Sequence, residues 1–132
     1  MNAVVQEQPM GCGIACVASA AGTTYATVLR KVDAKHASGR GYYCSELVAA
    51  LRKCGLTYSY GKASAHRKEM RHEGTIVFIA RSKQYPAGHY LVRTRRGWMN
   101  PWLNYPCITP ARAGFNQRLP GKAEWVLFRK QF

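Results

Sequence analysis

The sequence lacks the features that would place it in a membrane or outside the cell. Its longest uncharged apolar segments, residues 14–21 and 75–80, are far shorter than the roughly 20 residues that a helix needs to cross a bilayer. Residues 1–10 have no basic start followed by an apolar run and no small-residue cleavage pattern, so they do not resemble a secretory signal. We therefore expect a cytoplasmic protein without a membrane span.

The cysteines form neither a disulfide framework nor a metal site. They are odd in number, include no CxxC pair and have no convincing metal-ligand spacing to histidine. The five are Cys12, Cys16, Cys44, Cys54 and Cys107. The sequence predicts no metal and no cofactor.

Acidic residues are scarce. Twenty Lys and Arg face six Asp and Glu, which gives a formal net charge of +14. Such a charge attracts acidic or polyanionic partners without specifying which. The chain has no zinc finger, RNA-recognition motif or regular aromatic-basic alternation, so a basic nucleic-acid-binding protein is an alternative that rests on charge alone.

What the sequence does contain is enough apolar material for one folded domain over residues 1–132. Helical spacing in the first part predicts three helices: one over residues 12–21, one from a cap at Thr23 or Thr24 to near residue 34, and one from a cap at Ser45 to Gly55. Short β-prone runs then predict strands at residues 56–60, 75–80, 90–95, 98–100 and 125–129. Helices before strands predict an α+β fold, with N-terminal helices packed on an antiparallel sheet.

Two intervening segments have weaker patterns. Residues 62–73 are charged and predict a short exposed helix, whereas residues 104–122 hold three of the six prolines and predict an irregular excursion.

Cys12 has the context of a nucleophilic thiol. It stands where the first helix should begin, and the free amides and positive dipole end of a first turn lower a cysteine pKa. Gly11 and Gly13 flank it, so a substrate carbonyl can approach the backbone closely. Gln6 lies one short segment upstream and can donate to the oxyanion of a tetrahedral intermediate.

A thiol nucleophile needs a histidine base from a distant part of the chain. Of the four histidines, only His89 opens an apolar strand; His36 lies in a glycine-rich loop, and His66 and His72 lie among charges. His89 is therefore the predicted base.

The base needs an acceptor on its other ring nitrogen. No aspartate follows His89, and the single aspartate, Asp33, lies near the end of the second helix. A tight turn at residues 95–97 predicts a hairpin that brings Asn100 beside His89. We expect one of the three tryptophans (Trp98, Trp102 and Trp125) to shield that contact.

These residues resemble the bacteriocin-processing peptidases, a papain-like family that cleaves leader peptides after a double glycine. The resemblance covers roughly residues 4–102. It is carried by a cysteine box at Gln6, Cys12, Gly13, Ala15 and Cys16, and continues through the third-helix segment that ends at Gly55, the strand at residues 89–92 and the pair at residues 100–101.

The resemblance implies a compact papain-like cysteine peptidase fold, with Cys12 as nucleophile, His89 as base, Asn100 as orienting residue and Gln6 as oxyanion donor. It implies a cysteine-type endopeptidase that acts on a peptide or protein substrate through a thioester acyl-enzyme. Two positions depart from the family, which usually has an acid at the position of Gly11 and an aspartate at that of Asn100. Papain itself has asparagine in the orienting position.

A second hypothesis is a weak or inactive peptidase-like module that binds peptides without cutting them. The nucleophilic cysteine is usually lost in such relatives, whereas Cys12 is present here. Taken singly, Asn100 before a proline also suits a turn, and Gln6 near a terminus also suits a solvated position. The other four cysteines are interpreted as core thiols.

Overall fold

The α-helices precede the strands in the computed structural model, which describes residues 1–130. The α-helices are α1 (Cys12–Ala21), α2 (Tyr25–Leu29) and α3 (Cys44–Lys53), and short 3-10 helices span Ala34–Ala37, Ala63–Ala65 and Glu69–Arg71. The strands are β1 (Tyr58–Lys62), β2 (Ile76–Ile79), β3 (His89–Thr94), β4 (Gly97–Asn100), β5 (Gly114–Asn116) and β6 (Ala123–Arg129). They form one antiparallel sheet in the order β1-β6-β2-β3-β4-β5, which confirms the predicted α+β fold.

Helix α1 lies against both α3 and the sheet. Most of its residues are small, and those from Gly13 to Ser19 are buried. A Cβ atom at Gly13 would lie 2.8 Å from a methyl carbon of Leu47 and 3.3 Å from the ring of Tyr90. Glycine at this position therefore lets the start of α1 approach α3 and β3 closely.

The second helix is shorter than predicted. It ends at Leu29 rather than near residue 34, and the chain then forms the 3-10 helix Ala34–Ala37. The side chain of Asp33 caps that helix by accepting from the Lys35 amide at 3.3 Å. This hydrogen bond from the Lys35 amide to the Asp33 side chain favours the 3-10 turn over a continued α-helix.

The third helix starts at Cys44, one residue before the predicted cap Ser45. The Glu46 carboxylate accepts from the Tyr43 amide at 2.8 Å and pairs with Arg40 at 2.8 Å. Glu46, in the first turn of the helix, thus satisfies the backbone amide of the N-cap residue Tyr43.

The strand half differs from the prediction in three places. β1 is displaced toward the C-terminus, residues 62–73 form two 3-10 turns instead of one helix, and β5 lies inside the proline-rich stretch at residues 104–122. β5 is only three residues long and has no apolar alternation, so its pairing with β4 carries no sequence signal.

Strand β3 is clamped on both faces. Tyr90 and Val92 pack in the cluster formed with the helices, whereas Leu91 packs with Tyr85 in a second cluster. Successive side chains of a strand point to opposite faces, which explains this division. His89, the first residue of β3, therefore stands on a rigid element.

Among residues 1–130, no helix has the length and apolarity that a bilayer crossing requires.

Gly88 sets the entry into β3. Its φ is +76°, and a Cβ atom there would lie 2.9 Å from the Ile79 carbonyl oxygen and closer still to the Phe78 ring. We expect Gly88→Ala to lower the free energy of unfolding by about 2–3 kcal/mol in urea denaturation, because both strain and overlap are introduced.

Gly55→Ala is the matched control for that variant. Gly55 has a φ of +84°, yet a Cβ atom there meets nothing within 4 Å. Strain alone should cost about 1 kcal/mol. Equal losses in the two variants would contradict the steric role given to Gly88.

Candidate active site

One cleft brings together three of the four predicted site residues. Gln6, Cys12 and His89 line a cavity of about 800 Å³. Much of the remaining wall is aromatic, including Tyr85 and Trp102. Asn100 does not line the cavity; it is fully buried and hydrogen-bonded to His89.

Cys12 is the first residue of α1 and is partly buried. The backbone amides of Tyr90, Gly13 and Cys12 itself favour the ionised sulfur and so act to lower the pKa of the thiol. The N-cap residue, Gly11, has no side chain that could accept from the first-turn amides of Cys12 and Gly13. Burial raises the pKa of the Cys12 thiol to about 11, and the three amides offset only part of that rise. The thiol therefore carries its proton at neutral pH.

The geometry around Asn100 fixes the tautomer of His89. The Trp102 amide can only donate, and it lies 3.0 Å from Asn100 Oδ1, so that atom is the oxygen. The same oxygen lies 2.7 Å from His89 Nε2. The Nε2 atom must then carry the proton and donate it, which leaves the lone pair on Nδ1.

His89 is buried and neutral at pH 7. It is 3% exposed, and burial lowers its pKa from 6.5 to about 4, with partial opposition from the bond to Asn100. An imidazole with a free Nδ1 lone pair is a base that can accept a proton.

Gln6 lies in the cleft with its amide turned toward its own chain segment. It is 5% exposed, and its Nε2 donates to the carbonyl oxygens of Gln8 at 3.1 Å and Pro9 at 3.0 Å. Its Oε1 has no hydrogen-bond partner within residues 1–130. The Gln6 backbone amide donates to the carbonyl of Pro101, which ties this segment to the residue after Asn100.

Three contacts in the site had no sequence signal. Tyr85, and not a tryptophan, stacks on His89, with ring centroids 4.2 Å apart and an interplanar angle of 4°. The Trp102 amide and the Asn116 side chain both bond Asn100. Tyr85 and Asn116 come from segments without periodicity, so only the fold brings them to Asn100.

The other cysteines have mixed environments. Cys16 is fully buried, as predicted, whereas Cys44 also lines the cleft, with its sulfur 3.6 Å from Tyr90 Oη. Cys107 is exposed, so its interpretation as a core thiol is wrong; it lies in the stretch of turns before β5. Within residues 1–130, no three His, Cys, Asp or Glu side chains are grouped so as to hold a metal ion.

The basic hairpin turn lies away from the cleft. Arg93, Arg95 and Arg96 line a depression with Phe115 and Gln117, at the end of β3 opposite His89. The arrangement has no acidic residue in its lining.

Comparison with known proteins gives a structural match and no sequence match. No protein-family model and no curated protein matches the chain. Among solved structures, the chain is similar to the crystal structure of the peptidase domain of Streptococcus ComA, a bi-functional ABC transporter involved in a quorum-sensing pathway. The TM-score is 0.63 and the identity 18%, over 96% of each chain. The papain-like fold predicted from the sequence is therefore confirmed.

Acid should destabilise the fold through His89. An unfolded histidine binds a proton near pH 6.5, whereas folded His89 binds one only near pH 4. The unfolded state binds more protons in this window, so the free energy of unfolding falls as the pH drops from 6.5 toward 4. We expect this effect to lower the free energy of unfolding by about 2–3 kcal/mol between pH 7 and pH 4.5.

Urea denaturation near pH 7 and near pH 4.5 measures this effect, with His89→Gln as the control that lacks the imidazole. The variant should lose less stability between the two pH values than the wild type. The same loss in both proteins would contradict the burial of a neutral His89.

Proposed function

We propose that the protein is a cysteine-type endopeptidase that cuts a peptide or protein substrate through a thioester on Cys12. The observation that carries the proposal is the His89–Asn100 bond of 2.7 Å beside the cleft that Cys12 lines. It holds the imidazole as the Nε2–H tautomer and leaves Nδ1 as the base. The similarity in fold to a peptidase domain supports the same class of reaction.

In the first half-reaction, the proton of the Cys12 thiol passes to His89 Nδ1 as the sulfur attacks the scissile carbonyl carbon. A C–S bond forms and the carbonyl electrons move to the oxygen. The imidazolium then gives its proton to the amide nitrogen of the leaving group, the C–N bond breaks, and a thioester remains.

In the second half-reaction, His89 takes a proton from water and the hydroxyl attacks the thioester. The C–S bond breaks, the acid product leaves, and the sulfur regains its proton from the imidazolium. The amides of Tyr90, Gly13 and Cys12 donate more strongly to a thiolate than to a thiol. They thus stabilise the sulfur when it carries charge.

Gln6 is the proposed side-chain donor to the oxyanion. One of its two N–H groups must leave the carbonyl of Gln8 or Pro9 to do so, and one such hydrogen bond contributes about 1 kcal/mol. An oxyanion donor typically contributes about 3–4 kcal/mol in the transition state. The exchange therefore favours the reaction.

The runner-up function is a module that binds peptides in the cleft without cutting them. The retained Cys12, whose ionised sulfur three backbone amides favour, supports catalysis over that alternative. Cleavage by the protein itself separates the two hypotheses.

Incubation with a degenerate peptide library, with new termini identified by mass spectrometry, tests the proposal. We expect cleavage by the wild type, none by Cys12→Ala, and a kcat/KM at least about 100-fold lower for His89→Ala, because the base is removed. Gln6→Ala should lower kcat by about 10²–10³-fold.

Cys107→Ala is the matched control, since Cys107 is exposed and does not line the cleft. It should cleave like the wild type. Peptides that bind in the wild-type cleft and stay intact would favour the binding module, and cleavage by Cys12→Ala at the wild-type rate would exclude Cys12 as the nucleophile.

A further inference from the structure

All hydrogen-bonding positions of the buried Asn100 amide are filled. On the oxygen side, Oδ1 accepts from His89 Nε2 at 2.7 Å and from the Trp102 amide at 3.0 Å. On the nitrogen side, Nδ2 donates to Tyr85 Oη at 2.9 Å and to Asn116 Oδ1 at 2.9 Å. An amide has two acceptor sites and two N–H groups, so this side chain is saturated.

Tyr85 can act only as an acceptor toward Asn100. Its hydroxyl donates to the Trp102 carbonyl oxygen at 3.1 Å, and a carbonyl offers no hydrogen in return. Toward Asn100 the Tyr85 hydroxyl oxygen can therefore only accept, so the Asn100 atom that faces it must be the amide nitrogen. A flipped Asn100 would place its oxygen against those lone pairs and its nitrogen against the Trp102 amide.

Tyr85 also restrains the imidazole directly. Its ring lies parallel to that of His89 and is 2% exposed. Its own amide donates to Ser82 Oγ at 3.0 Å, which anchors the loop that carries the ring. The same residue thus covers His89 and holds the residue that orients His89.

We propose that Tyr85 and Asn116 are positioning residues for the Cys12 reaction, because they hold the Asn100 amide with its oxygen toward His89. The catalytic meaning of this proposal rests on the proposed peptidase function. The arrangement also gives a physical reason for asparagine at this position. A carboxylate oxygen in place of Nδ2 would face two acceptor atoms unless Tyr85 and Asn116 both reoriented.

The test follows the tautomer of His89 in the full-length, 15N-labelled protein by long-range 1H–15N correlation. The wild type should show Nε2 protonated and Nδ1 unprotonated at neutral pH. In Tyr85→Phe combined with Asn116→Leu, both acceptors for Nδ2 are lost while the ring remains. We expect the tautomer ratio to shift toward Nδ1–H by about tenfold or more.

Two single variants and one control separate positioning from general stability. Tyr85→Phe alone should give a smaller shift, and Asn116→Asp should keep the wild-type tautomer because an oxygen acceptor remains. Tyr58→Phe removes another buried hydroxyl, which donates to the Gly74 carbonyl at 2.7 Å outside the cleft. This control should leave the His89 signals unchanged.

The outcomes distinguish the two proposals. A folded double variant with the wild-type tautomer ratio would overturn the positioning role and leave the peptidase proposal intact. If the double variant fails to fold, an unchanged ratio in Tyr85→Phe alone overturns it. If the tautomer ratio shifts as expected in the double variant but the wild type cleaves no peptide, the result supports the positioning of Asn100 and overturns the peptidase function.

Discussion

The hydrogen bond from His89 Nε2 to Asn100 Oδ1 closes the open end of the β3–β4 hairpin and sets the protonation of the imidazole. The orientation of the imidazole and the identity of its proton-accepting nitrogen both depend on this bond. The two-residue turn at Arg95 and Arg96 sets the register, with Thr94 opposite Gly97 and Val92 opposite Met99. Continued by one residue, this register places Asn100 across from Leu91, so that His89 is its diagonal neighbour on the same face of the sheet. The saturated surroundings of Asn100 then leave one ring nitrogen, Nδ1, for chemistry in the cleft.

Burial gives this site a neutral ground state. Desolvation raises the pKa of Cys12 and lowers that of His89, so both groups avoid charge in the folded protein. In the proposed reaction, charge forms only when the sulfur attacks, and three backbone amides then favour the thiolate while Asn100 accepts from the imidazolium. The neutral amide of Asn100 beside His89 suits a resting pair without charge.

The sequence was sufficient to predict the elements that carry local patterns. Cys12 at the start of α1 followed from its flanking glycines and the small residues after it, and the hairpin followed from the turn that ends at Gly97. The hydrogen-bond partners of the Asn100 amide nitrogen could not be predicted. Tyr85 lies in a loop and Asn116 in a three-residue strand, and both contacts exist only because distant segments converge. The orientation of Gln6 likewise depends on backbone carbonyls that no residue pattern encodes.

The most direct measurement is the order in which iodoacetamide labels the cysteines of the native protein at neutral pH. Exposure alone would place Cys107 first, since Cys12 is partly buried and only ~1 in 10⁴ of a thiol with a pKa of about 11 is ionised at pH 7 without a base. Activation by His89 predicts the reverse order, with Cys12 labelled first in the wild type and Cys107 first in His89→Ala. Labelling of Cys107 before Cys12 in the wild type would contradict the account.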